Sequence, residues 1–151
     1  MTVFKRQRQH VENQVAFYAS FVAHDIQHLG QLQALIFDNV RENIGHAYNN
    51  MSGHFTAPVS GTYVFHVTLC SYRMGVTGEF FAFLYVNNEP MARFLATQPY
   101  QQSSQMLVIT LKANDIVVVK SSVLDQGYIG HAFSSFSGFL LYENDNLEIV
   151  G

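Results

Sequence analysis

Between Gly61 and Cys70 a large apolar residue recurs at every second position from Tyr63 to Leu69. Tyr63, Phe65, Val67 and Leu69 fall on one side, and Thr62, Val64, His66, Thr68 and Cys70 on the other. A period of two is that of a β-strand with one heavily apolar face. Val64 and Cys70 keep the second face from being plainly polar, which suits a strand in a sandwich. Gly53, Pro58 and Gly61 precede it with turn chemistry: glycine tolerates φ > 0 and proline fixes φ.

The same reading predicts strands over 15–22, 35–40, 79–86, 91–96, 105–111, 116–122 and 133–142. The stretch 79–86 is apolar on both faces and reads as an inner strand. Polar, Gly-bearing or Pro-bearing segments at 24–33, 43–50, 73–78, 97–102 and 125–131 read as loops, with tight turns at Asn87-Asn88 and at 112–115. Eight or more short strands with no helical period indicate an all-β sandwich or barrel.

Composition adds one constraint. Hydrophobic residues make up 48% of the 151 positions and charged residues 13%, about half the usual charged share. A chain so poor in charge is expected to hide part of its apolar surface in an oligomer. The length fits one domain, read as a polar arm over 1–14, a globular domain over 15–143 and a tail over 144–151. A net charge of −3 argues against nucleic-acid binding. The single Cys70 excludes an internal disulfide and reads as a small buried thiol. No apolar run reaches membrane-spanning length, and the basic first residues lack the apolar stretch of a signal peptide.

Chemistry is thinly signalled. Seven histidines are scattered, and His24 and His28 stand four apart where no helix is predicted, so no metal site is expected. Ser134, Ser135 and Ser137 lie near His131 and Asp125 but in a strand, without a nucleophile elbow. No phosphate loop leads from strand to helix. The expectation is a binding protein without catalytic residues, its recognition carried by loops.

The string Gly53-x-Phe55-x-Ala57-Pro58-x-x-Gly61-x-Tyr63-x-Phe65 resembles the signature of the C1q domain of the C1q/TNF superfamily. Phe37-x-x-Val40-x-x-Asn43-x-Gly45-x-x-Tyr48 before it, and Leu111-x-x-x-Asp115-x-Val117 and Phe136-Ser137-Gly138-Phe139-Leu140-Leu141 after it, keep the expected order. The resemblance implies a ten-stranded jelly roll assembled as a homotrimer around an apolar axis. Phe81, Phe83 and Tyr85, or their neighbours on the opposite face, are its candidate axis residues. Some members bind calcium through aspartates where this chain holds Arg93 and Gln101; a guanidinium cannot ligate a hard cation. No cofactor is therefore expected, although Asp125 leaves room for a different calcium site.

The overall likeness to short molluscan C1q-domain lectins implies a secreted protein of innate immunity that binds microbial or sialylated glycans. The competing implications are a TNF-like trimer engaging a cell-surface receptor, and a module that trimerises a longer chain. Candidate ligand-binding residues are Tyr72, Arg73, Arg93, Tyr100, Gln102, Asp125, Tyr128 and His131. Tyrosines could stack on a sugar face and arginines pair with a carboxylate.

Overall fold

The computed structural model describes residues 13–72, 80–122 and 126–144, with the side chains of His28 and of 126–129 outside the description. These residues form nine strands and no helix: β1 (Ala16–Leu29), β2 (Asn39–Ile44), β3 (Phe55–Thr56), β4 (Gly61–Cys70), β5 (Phe80–Val86), β6 (Glu89–Ala96), β7 (Gln102–Leu111), β8 (Ile116–Ser121) and β9 (Gln126–Glu143). Two antiparallel sheets pack face to face, in the orders β2-β1-β9-β4-β7 and β3-β8-β5-β6. This is the jelly roll anticipated above, with nine strands among the described residues rather than ten.

The strict alternation of β4 has its cause in the core. Tyr63, Phe65, Val67 and Leu69 are completely buried between the sheets. Phe17 stacks on Tyr48 at 4.8 Å and meets Phe136 edge-on at 4.9 Å. Phe65 lies edge-on to Phe55 at 5.1 Å, and Phe21 stacks on Phe37 at 4.5 Å. Offset and edge-on pairs suit the ring quadrupole and add to the area that they bury. The two core tyrosines keep their hydroxyls satisfied: Tyr48 donates to the Phe37 carbonyl and Tyr63 to the Val59 carbonyl, both at 2.7 Å. Gly138 lets the layers close. A Cβ there would lie 2.5 Å from Phe65 Cδ1 and 2.9 Å from Phe17 Cε1.

Several boundaries differ from expectation. The segment 24–33 is not wholly a loop, because β1 continues to Leu29 and pairs with β9 through Asp25–Ile129, Ile26–Tyr128 and Leu29–Gln126. Likewise 125–131 is not a loop, since β9 begins at Gln126. In this ribbon Val22, Ala23, His24 and Gln27 are exposed, so backbone pairing holds a strand that has little burial signal. The strand expected over 35–40 starts at Asn39; Leu35 and Phe37 are buried, but they belong to a crossing segment tied to β8 by the Leu35 N–H to the Val119 carbonyl. The two-residue β3 went unpredicted, being too short for periodicity to register. The loop 73–78, the residues 1–12 of the arm and 145–151 of the tail lie outside the described residues.

Edge strands β6 and β7 belong to different sheets and are stitched by side chains. The Leu95 N–H donates to Ser103 Oγ at 3.2 Å, and Gln105 Nε2 donates to the Arg93 carbonyl at 2.9 Å.

Candidate functional site

Antiparallel pairing of β4 with β7 and β9 brings the end of β4, the start of β7 and the outer end of the β1–β9 ribbon to one end of the sandwich. Buried Ser71 organises the loop there. Its N–H donates to the Gln101 carbonyl and its hydroxyl to the Gln98 carbonyl, while it accepts from the N–H groups of Tyr100 (carbonyl) and Gln101 (hydroxyl). The Thr97 N–H closes the loop on Gln101 Oε1 at 2.8 Å. Tyr100 is thereby held at φ 61° with its ring 56% exposed. A bulky residue in the left-handed region is uncommon, and here the surrounding bonds impose it.

Half-buried Tyr72 follows Ser71 and hydrogen-bonds Asp25. The Asp25 carboxyl is held below its ordinary range, chiefly by the hydrogen bond from Gln27, against the opposing effect of burial; His24 and Tyr72 add to the lowering. His24 Nδ1 lies 3.4 Å from Asp25 Oδ1, and the His24 and His131 rings meet edge to face with centroids 5.4 Å apart. Gln102, also exposed, pairs with Cys70 at the same end. Cys70 is buried, which pushes its thiol up, and its N–H donates to Ser134 Oγ.

Of the expected site residues, the fold brings Tyr72, Tyr100, Gln102 and His131 to this end. Tyr128 pairs through its backbone with Ile26, but its side chain is outside the described residues, as are Arg73 and Asp125 altogether. Arg93 lies elsewhere, on the outer face of the β3-β8-β5-β6 sheet with its guanidinium 5.6 Å from the Phe83 centroid. Sequence reasoning assigned no role to His24 or Asp25. Their participation depends on the β1–β9 register, for which no local signal exists. Among the described residues no group of three His, Cys, Asp or Glu side chains is arranged to hold a metal ion.

The two outer sheet faces differ in character. On the five-stranded sheet, cross-strand pairing aligns Ile44, Ala16, Phe139, Val64 and Val108 in one row. The neighbouring row holds Tyr18, Ser137, His66 and Met106. Phe139 is 44% exposed, Val108 60% and Met106 66%. His66 Nε2 bonds Ser104 Oγ at 2.9 Å, and Ser104 bonds Thr68. Glu42 of β2 stands opposite Tyr18 at the edge of the second row, and no Asp, Glu, Lys or Arg from β1, β9, β4 or β7 enters either row. On the other sheet, Phe81, Phe83 and Tyr85 point outward, with Arg93 over Phe83 and Lys120 Nζ 5.3 Å from the Tyr85 centroid.

Residues 16–141 match the family model described as "C1q domain". The chain is 33% identical over 134 residues to heavy metal-binding protein HIP of Mytilus edulis, a match covering 85% of this chain and 61% of that protein. It is 31% identical over 135 residues to complement C1q tumor necrosis factor-related protein 3 of Mus musculus, covering 87% and 53%. The chain thus spans little more than half the length of these curated relatives. Among solved structures, the globular domain of zebrafish complement 1qA protein superposes with a TM-score of 0.70 at 19% identity, covering 87% of this chain and 99% of that one. Eiger TNF from S. frugiperda gives 0.70 at 14% identity, covering 89% and 97%. With a family model matched from β1 to β9 and the jelly roll to go with it, the chain belongs to the C1q domain family.

Proposed function

We propose that this protein is an extracellular recognition module that assembles as a homotrimer and binds glycans in innate defence through the end of the sandwich carrying Tyr100. The observation that carries this reading is the loop 97–101. Buried Ser71 holds it rigid, and it presents an exposed tyrosine beside Gln101 and Gln102. An aromatic face with neighbouring amides suits a sugar, whose ring offers an apolar face and a rim of hydroxyls. Each such site is shallow, and three copies on one body convert weak binding into avidity. Microbial or sialylated surfaces, with repeated sugars, are the ligands that exploit this.

The outer face of the five-stranded sheet, whose two central rows carry charge only at Glu42 on the β2 edge, supports assembly. Burying its exposed Phe139 and Val108, on either side of the already covered Val64, against other copies removes apolar surface from water with no charge in that row. The outward face bearing Phe81, Phe83 and Tyr85 is less suited to a dry axis, because Arg93 and Lys120 would be buried with it. That second face supports an alternative reading, a trimeric ligand for a protein receptor. Aromatic rings flanked by cations, with exposed Leu95 and Met91 nearby, have the composition of a protein-binding hot spot.

The deciding experiment is a glycan array probed with the intact protein, with and without EDTA. The glycan reading expects dose-dependent signal that persists in EDTA and falls at least tenfold in Tyr100→Ala. Absence of any glycan signal, with saturable binding to one cell-surface protein that Arg93→Ala weakens, overturns it in favour of the receptor.

A further inference from the structure

His24 and His131 are remote in the chain, and a bulge makes them neighbours. Along the β1–β9 ribbon Phe21 pairs with His131 and Asp25 with Ile129, so the three residues 22–24 stand opposite Gly130 alone. Gly130 is required at that point, since a Cβ there would lie 1.9 Å from the Ala23 carbonyl oxygen. Surplus backbone on one strand and close approach on the other turn the two imidazoles toward each other. Their centroids are 5.4 Å apart and their planes 83° apart. His131 holds φ 48°, a left-handed conformation that bulge geometry accommodates.

Two imidazoles bound to one ion, with metal–nitrogen distances of about 2.0–2.1 Å and a tetrahedral angle, have ring centroids about 5 Å apart. The pair is within a few tenths of an ångström of that separation. Both residues are exposed, and the His24 side chain is 77% accessible. χ2 is a broad torsion for histidine, so the exposed His131 ring is free to turn a nitrogen toward His24. Asp25 completes the arrangement. Its carboxylate near Nδ1 favours the tautomer with the proton there, leaving the Nε2 lone pair for a metal, and a carboxylate behind a ligating histidine is the usual supporting contact. Gln27 and Tyr72 hold that carboxylate in place.

We propose that His24 and His131 chelate a borderline divalent transition-metal ion, with Asp25 as the orienting carboxylate and solvent in the remaining positions. Imidazole donors select copper, zinc or nickel over calcium, which takes oxygen cages, and Cu²⁺ heads the affinity order for such ligands. This site is independent of the glycan reading and stands whether or not sugars bind.

The test titrates the intact protein with Cu²⁺ alone at pH 7.4, followed by calorimetry and by electron paramagnetic resonance. The expected result is a first equivalent per chain with two nitrogen donors. His24→Gln and His131→Gln should each weaken it at least tenfold, and His54→Gln should leave it unchanged. The proposal is overturned if the His24→Gln, His131→Gln double variant, shown to be folded by its circular dichroism, takes up the first equivalent with wild-type affinity. It is equally overturned if the spectrum shows no imidazole nitrogen.

Discussion

Replacing Gly138 by alanine adds one methyl group where two rings already touch the backbone. The new Cβ would lie 2.5 Å from Phe65 Cδ1 and 2.9 Å from both Phe65 Cε1 and Phe17 Cε1. Neither ring can retreat. Phe65 is flanked by Phe55 at 5.1 Å, Phe136 at 6.1 Å and Tyr63 at 6.1 Å, and Phe17 is wedged between Tyr48 and Phe136. Overpacking of this kind costs about 1–3 kcal/mol. Against it stands the stabilisation of about 0.4–1 kcal/mol that alanine brings by restricting the unfolded chain. The net expectation is a destabilisation of about 1–2 kcal/mol, or a fall in Tm of about 2–8 °C for a chain of this size.

Equilibrium urea unfolding measures it, at one fixed protein concentration because the proposed subunit association would contribute to apparent stability. A cycle with Phe65→Leu locates the cause. With the Phe65 ring removed only the contact with Phe17 remains, so Gly138→Ala should become clearly less destabilising in that background, giving a coupling outside additivity. A Gly138→Ala protein as stable as the parent, or one equally destabilised with and without Phe65, would refute the steric argument.

Tyr48→Phe leaves the buried Phe37 carbonyl without its donor and should cost about 1–3 kcal/mol in the same urea assay. Burial raises the Tyr48 and Tyr63 hydroxyls above their ordinary value, so above about pH 10 the unfolded chain loses protons that the folded one keeps. Stability is therefore complete below that pH and declines above it, and Tyr48→Phe should flatten the alkaline limb of the stability profile. Val108→Asp places a charge in the apolar row of β7 and should convert the proposed trimers to monomers in sedimentation at micromolar concentration without loss of the β-sheet spectrum. Cys70, buried with its thiol pushed up, should react with a thiol reagent only upon unfolding.

Much of this architecture was legible wherever one side of a strand meets the core and the other does not. The β4 alternation predicted its buried face residue by residue, and the apolar Leu35 and Phe37 were recognised even though their segment only bridges to β8 and does not form a strand. Legibility failed where burial is absent. The outer half of β1 has exposed residues, so its strand character comes from β9 alone. Gly127 and Gly130 read as loop punctuation, yet Gly130 sits in a strand and is glycine because the Ala23 carbonyl leaves no room for a side chain. Residues 79–86 were apolar on both faces, and periodicity could not orient them. What distinguishes the faces is Arg93 and Lys120, contributed by β6 and β8. The cluster of His24, Asp25 and His131 likewise exists only through pairing between distant segments.

The stitches between β6 and β7 bear on how this fold avoids aggregation. A strand at the rim of a sheet offers free amide and carbonyl groups on which another chain can template itself. On β6, the Leu95 amide is engaged by Ser103 and the Arg93 carbonyl by Gln105, while Pro90 has no amide to offer. The seam therefore denies a growing fibril its docking points there. Removing the Ser103 and Gln105 side chains would expose those groups while leaving the aromatic core untouched, making β6 a starting point for strand-by-strand polymerisation.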